Sequence, residues 1–139
     1  MSRLMGIDYG LKRMGVAMTD IMQTMAIPFD TIESLSLKEN ASKILEIAEN
    51  NDVSIIVLGL PVNMNGSEGE MAATVRKLIE IIKSVSNNVK VELIDERLTT
   101  VQAERILIND AGISRKKRKG LKDKIAAVLI LQTYLDIQG

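Results

Sequence analysis

Two rhythms of apolar and polar residues run along this chain. Short apolar runs bounded by glycine or polar residues read as strands, and apolar residues three or four apart read as helices. Residues 4–7 are apolar and flanked by turn formers, which predicts a buried strand. Residues 15–19 predict a second, with Gly10-Leu11-Lys12-Arg13 as the hairpin connection. A third covers 26–32, where Pro28 points to a strand start or an edge position. Ser36 and Glu39 form a capping box ahead of Ile44, Leu45, Ile47 and Ala48, so a helix is expected from about 37 to 50. Residues 55–58 are β-branched and apolar without alternation, as a central strand covered on both faces would be. The run stops at Gly59-Leu60-Pro61, and a polar loop follows. Ser67 and Glu70 form a second capping box before Ala72, Val75, Ile79 and Ile82. Residues 91–94 predict a fifth strand, ending at Asp95-Glu96-Arg97. Thr99 and Gln102 cap a further helix to about Asp110, which Gly112 ends. After a basic loop, residues 122–137 predict a last helix, apolar on every side from Ile125 to Leu131 and therefore buried.

The resulting order is βββαβαβαα. Three strands joined by short turns make an antiparallel meander, and helical crossovers then add strands parallel to the first. An α/β fold is expected, a mixed five-stranded sheet with helices on both faces. No repeat or linker divides residues 1–139, and 139 residues are one domain's worth, enough to bury a core unaided.

Composition narrows the chemistry. The chain has no Cys, His or Trp. Disulfides, thiolate or imidazole metal sites, Ser-His-Asp or Cys-His catalysis and any His general base are thereby excluded. Carboxylates, Lys, Arg, Tyr, Ser, Thr and backbone remain. The natural helper for such a set is a hard, oxygen-liganded ion such as Mg²⁺. No apolar run approaches the ~20 residues of a membrane span, and no signal peptide is visible, so a cytoplasmic protein is expected.

Formal net charge is zero, with 18 basic and 18 acidic residues. The balance is uneven. Between Arg115 and Lys124 lie seven basic residues against Asp123 alone, net +6, so the remaining eleven basic and seventeen acidic residues carry −6. A basic block on an acidic body suggests a polyanion-binding loop, formed chiefly by Arg115, Lys116, Lys117, Arg118 and Lys119. A solvated surface loop is the plainer reading.

The acids converge by topology. Asp8 ends the first predicted strand, and Asp95 and Glu96 end the last. In a sheet where those strands run parallel, their ends share one edge, the edge at which ligands bind in open α/β sheets. Asp123 opens the buried helix that must pack on that sheet. Carboxylates held close need a cation or raised pKa values, and without His a divalent ion is the economical answer. One or two ions would serve, two of them clamping the attacking and leaving oxygens of a phosphodiester displacement. Plainer roles exist for each acid: a turn for Asp8, a pair with Arg97 for Asp95 or Glu96, a helix-dipole contact for Asp123.

These residues also carry a family resemblance. The stretches Gly6-Ile7-Asp8-Tyr9-Gly10-Leu11-Lys12-Arg13, Gly59-Leu60-Pro61-Val62-Asn63-Met64-Asn65-Gly66-Ser67, Asp95-Glu96-Arg97-Leu98-Thr99-Thr100, Ser114-Arg115-Lys116-Lys117-Arg118 and Lys122-Asp123-Lys124-Ile125-Ala126 resemble, in order and over nearly the whole chain, the YqgF/RuvX family. That family is described as pre-16S rRNA nucleases and as Holliday-junction resolvase-like. The resemblance implies an RNase H-like fold shared with the RuvC resolvase and metal-dependent hydrolysis of a nucleic-acid backbone with Mg²⁺ or Mn²⁺. It makes Asp8 and Asp123 catalytic, metal-holding acids. The middle acid is Glu96, whose longer side chain suits a strand end, with Asp95 in reserve. RuvC-type nucleases use a fourth acid near the last, where this helix offers Lys and apolar residues. Lys12, Arg13 and Arg97 are candidate phosphate contacts, and Asn63 and Asn65 line a glycine-containing loop where backbone could approach a phosphate.

Three other functions compete. A resolvase of branched DNA would use the same site, and would need a homodimer to place two sites on one junction. A non-catalytic rRNA-binding assembly factor would lean on the basic block, since three aromatic residues leave little for base stacking. Gly6-Ile7-Asp8-Tyr9-Gly10 also resembles the phosphate loop of sugar kinases, actin and the 70-kDa chaperones. Those proteins clamp ATP between two lobes, and 139 residues supply one.

Overall fold

In the computed structural model of the chain, the described residues are 2–99 and 115–138, with backbone alone for 115–122. Strands β1 (Arg3–Asp8), β2 (Arg13–Thr19) and β3 (Ala26–Glu33) lead to helix α1 (Leu37–Asn50). Strand β4 (Val53–Leu60), helix α2 (Glu70–Val85) and strand β5 (Lys90–Asp95) follow. A single 3₁₀ turn (Glu96–Leu98) continues β5, and helix α3 (Arg115–Gln138) closes the chain.

The strands form one sheet in the order β3-β2-β1-β4-β5. The meander is antiparallel, and β4 and β5 join β1 in parallel, as the short turns and helical crossovers require. Pro28 lies on edge strand β3, at an irregularity in its pairing with β2.

Alternation along each strand divides the core into two layers. Met5, Ile7, Val16, Ile56 and Leu58 pack beneath α1 and α2 with Ile44, Val75, Leu78 and Ile82. Leu4, Ala17, Val57 and Ile94 face the other way, against Ala127, Ile130, Leu131 and Tyr134 of α3. Helices therefore cover both faces. A side chain on Gly6 would strike α3, since its Cβ would lie 2.8 Å from the Ala127 carbonyl oxygen and 2.8 Å from Leu131 Cβ.

Three local expectations need correction or fall outside view. The basic block is not a loop: the backbone of 115–121 is already helical, so α3 begins seven residues earlier than the apolar run suggests. Lys and Arg are good helix formers, and one Gly120 costs about 1 kcal/mol, too little to stop a helix. Ser67 does not cap α2, whose N-cap is Gly69 without a side-chain bond. The Ser67 hydroxyl instead binds Asn63 and Asn65 inside its own loop. The helix expected from Thr99 to about Asp110 lies outside the described residues. The Ser36 cap forms as expected, accepting from the Glu39 N–H at 3.1 Å.

Candidate active site

The C-terminal ends of β1, β4 and β5 share one edge of the sheet, and the acids gather on the α3 side of it. Leu4 and Gly6 of β1 face α3, so Asp8, two residues on, faces it too. Ile94 of β5 also faces α3, and Glu96 repeats its side. Asp95 therefore takes the opposite side. Glu96 is a hydrogen-bond partner of Asp8, and burial pushes its carboxyl up from the usual range, helped by the charge of Asp95 and opposed by Asp8. Gly59 makes room for this: a Cβ there would lie 2.7 Å from Glu96 Oε1 and 2.5 Å from Ile130 Cδ1.

Asp95 has a different task. Its carboxylate accepts from the Arg97 backbone N–H at 2.9 Å, capping the 3₁₀ turn that swings Glu96 inward. The Arg97 guanidinium returns to Asp95 through Nη2 at 2.7 Å and through Nε at 3.0 Å, and holds the Asp95 carboxyl below its usual range. Nη1 reaches the carbonyl oxygens of Asn63 at 3.5 Å and Met64 at 3.4 Å. Arg97 thus ties the β4–α2 loop to the end of β5.

That loop is braced internally. The Asn63 amide donates to Ser67 Oγ at 2.9 Å, and Asn65 Oδ1 accepts from the Ser67 hydroxyl at 2.6 Å. The turn passes through Gly66 at φ +88°, a left-handed conformation that suits glycine. Asn63 and Asn65 are exposed, and these bonds occupy their side chains within the loop.

Asp123 enters from α3. Asp8 pairs in register with Gly15, and the bare face of Gly15 receives the main chain of Asp123, whose carbonyl oxygen stands where a Cβ would. Asp8 and Asp123 thereby both border Gly15, one as its strand partner and the other as its packing neighbour. The Asp123 carboxylate, however, is bound to Arg13, with Nε to Oδ2 at 2.9 Å. Among the described residues no three acids stand close enough together to hold a metal ion. Asp8 and Glu96 do fit a cation, since two carboxyls in contact on a partly buried face need a shared proton or a positive ion between them. Asp123 stands beside them, already neutralised by Arg13.

Of the basic candidates, Lys12 is exposed at the turn between β1 and β2, while Arg13 and Arg97 are held in ion pairs. The side chains of Arg115, Lys116, Lys117, Arg118 and Lys119 lie outside the described residues. The glycines on the α3 face, Gly6, Gly15 and Gly59, are part of the site's construction, and their shared side is a signal that sequence reasoning passed over.

The family model described as "RuvX: Holliday junction resolvase" matches residues 2–137. "Putative pre-16S rRNA nuclease" of Endomicrobium trichonymphae is 69% identical over 139 residues, covering 100% of this chain and 99% of its own length. The protein of the same name from Thermoanaerobacter pseudethanolicus is 46% identical over 136 residues, covering 98% and 97%. Among solved structures, Thermus thermophilus RuvC in complex with Holliday junction substrate superposes with a TM-score of 0.63 at 13% identity, over 99% of this chain and 97% of that one. The fowlpox virus resolvase with its Holliday junction DNA gives 0.58 at 15% identity, over 98% of each. These two likenesses bear out the RNase H-like fold.

Proposed function

The chain belongs to the RuvX family, and from that premise we propose that it is a metal-dependent nuclease that hydrolyses phosphodiester bonds, acting in 5′-end processing of pre-16S rRNA. The observation that carries this reading is the Asp8–Glu96 contact on the α3 face, beside the docked main chain of Asp123. Asp8 and Glu96, with Asp123, would hold the ion. A bound Mg²⁺ or Mn²⁺ supplies Lewis-acid stabilisation of the charge that develops on the phosphoryl oxygens.

The chain's own groups do the rest. Glu96, its carboxyl raised by burial, lies in hydrogen-bond contact with Asp8 and faces the same ion position. Asp95, through its cap, sets the turn that keeps Glu96 on the α3 side. Lys12 and the basic start of α3 attract the polyanion without reading its sequence. With the curated relatives carrying a pre-16S rRNA name, precursor rRNA is the favoured substrate. The family model's own description supports a second reading, resolution of branched DNA. That activity would require a dimer of defined geometry.

A cleavage assay on a precursor-rRNA fragment and on a four-way DNA junction, with Mg²⁺, Mn²⁺ or chelator, tests this. The rRNA fragment should be cut in a metal-dependent way, and Asp8→Asn and Asp123→Asn should lose cutting while keeping binding. Equal cutting by both variants removes the catalytic assignment. Cutting of the junction alone favours the second reading.

A further inference from the structure

Arg13 and Asp123 come from opposite ends of the chain and lie on each other, Nε to Oδ2 at 2.9 Å. The placement is built in. Arg13 sits on the α3 face of β2, two residues before Gly15, and Gly15 lacks the side chain that would keep Asp123's main chain away. Asp8 is the register partner of Gly15 on the next strand. Asp123 is therefore anchored beside the Asp8–Glu96 pair with its carboxylate drawn off by a guanidinium. The pair is reachable from solvent, with Arg13 36% and Asp123 20% exposed in their side chains.

We propose that Arg13 is a phosphate ligand held in reserve, latching Asp123 until a phosphodiester backbone takes the guanidinium over and releases Asp123 to complete the acid site. The inference rests on the nuclease reading and deepens it. The exchange is chemically matched, because guanidinium binds phosphate oxygens through the same two-pronged geometry it offers a carboxylate. It is also cheap, because a partly exposed ion pair contributes little net stability. Asp123 then needs only a side-chain rotation, since its main chain is already docked on β2. Linkage makes the consequence reciprocal. Nucleic acid should raise the affinity for a divalent ion, and the ion should raise the affinity for nucleic acid by the same factor. A site that assembles only on its substrate would not present three bare carboxylates to one another in the free protein.

Mn²⁺ binding to the full chain by titration calorimetry, without nucleic acid, tests the latch. Arg13→Gln should bind Mn²⁺ about five-fold or more tighter than the parent. Lys12→Gln, which removes the adjacent charge from outside the pair, should not. A folded Arg13→Gln that binds Mn²⁺ no tighter than the parent overturns the proposal, and so does an equal gain in Lys12→Gln. The parent protein supplies a second readout that needs no variant. Its Arg13 Nε–H resonance should move when a short RNA is added in chelator, and an unmoved resonance at saturating RNA also overturns the proposal. Neither readout involves cleavage, so a chain that fails to cut RNA sinks the nuclease reading while leaving the latch decided on its own result.

Discussion

Glu96 and Asp8 hydrogen-bond carboxyl to carboxyl across the end of β4, although 88 residues separate them in the chain. An arrangement of this kind carries like charge, so it should respond to a cation more than to any other ligand. Millimolar Mn²⁺ should raise the melting temperature of the parent, with about 2.7 kcal/mol of stabilisation when the ion is a hundred-fold above its Kd. Glu96→Gln and Asp8→Asn should each abolish that shift. In metal-free buffer neither variant should be much less stable than the parent, because the amide can still hydrogen-bond the remaining carboxyl and one buried ionisable group is gone. Asp95→Asn should keep the shift. Loss of the shift in Asp95→Asn alone would exchange the roles of the two acids.

Gly15 sets the seat of α3. A Cβ there would occupy the space of the Asp123 carbonyl, and main chain cannot yield as a flexible side chain can. Gly15→Ala should therefore cost about 1–3 kcal/mol or more in urea denaturation, the range for overpacking. It should also separate Asp123 from the other acids, weakening Mn²⁺ binding in the presence of a short RNA, where Arg13 has let Asp123 go, even where the variant folds. A variant with parental stability and parental metal affinity would show that α3 is not seated through this contact.

Arg97 is expected to act as a strut. It bonds Asp95 and the Asn63 and Met64 carbonyls at once. Its ion pair is partly exposed, so Arg97→Ala should cost no more than about 1 kcal/mol globally. The local effect should be larger. Amide exchange across 63–67 should quicken, while the exchange of β4 itself stays slow. Asp95→Ala removes the cap as well and should cost about 0.5–2 kcal/mol. Unchanged exchange in the loop of Arg97→Ala would return Arg97 to the role of a substrate contact.

The strands, their parallel and antiparallel pairing and the placing of Asp8, Asp95 and Glu96 at one edge of the sheet were legible because they follow from period and connectivity. Alternation put Asp95 and Glu96 on opposite sides but left open which side faced Asp8. Gly6, Gly15 and Gly59 decide that question, since each falls on the side with no room for a side chain. Their meaning emerges only once α3 is placed against them. The start of α3 was hidden because charged helix turns lack an apolar stripe, so hydrophobic period is silent there. Ser67 misled because its hydroxyl had closer partners in Asn63 and Asn65 than the first turn of α2. The Arg13–Asp123 pair joins residues 110 apart, and charge patterning along the chain carries no information about such pairs.

Asp20 gives the acid response a local reporter. It accepts from the Thr24 hydroxyl at 2.7 Å and from the N–H groups of Thr24 and Met25 at 2.8 and 3.1 Å. Those bonds, that from the Thr24 hydroxyl first, pull its carboxyl down from 3.8 to about 2. A folded pKa below the unfolded one means that the contribution is complete above the unfolded value and is lost as pH falls through the folded one. The stability difference between the parent and Asp20→Asn should hold steady above pH 4 and shrink between about pH 4 and pH 2. A difference that grows as the pH falls would reverse the sign of the linkage.

The +6 window that opens α3 should govern affinity for nucleic acid rather than its sequence preference. Each phosphate neutralised releases condensed counterions, so affinity should fall steeply and log-linearly with salt. If the five residues Arg115, Lys116, Lys117, Arg118 and Lys119 all contact a single strand, the slope should be about −3 to −4. Replacing these five by Ser should flatten the slope by that amount and weaken binding to RNA and branched DNA alike. The acidic remainder of the chain should then repel both. Catalytic rate at saturating substrate should change little, because the acids of the site are untouched. A salt slope between 50 and 200 mM that the five replacements leave unchanged would remove this block from the interface and leave Lys12 and Arg13 as the phosphate contacts.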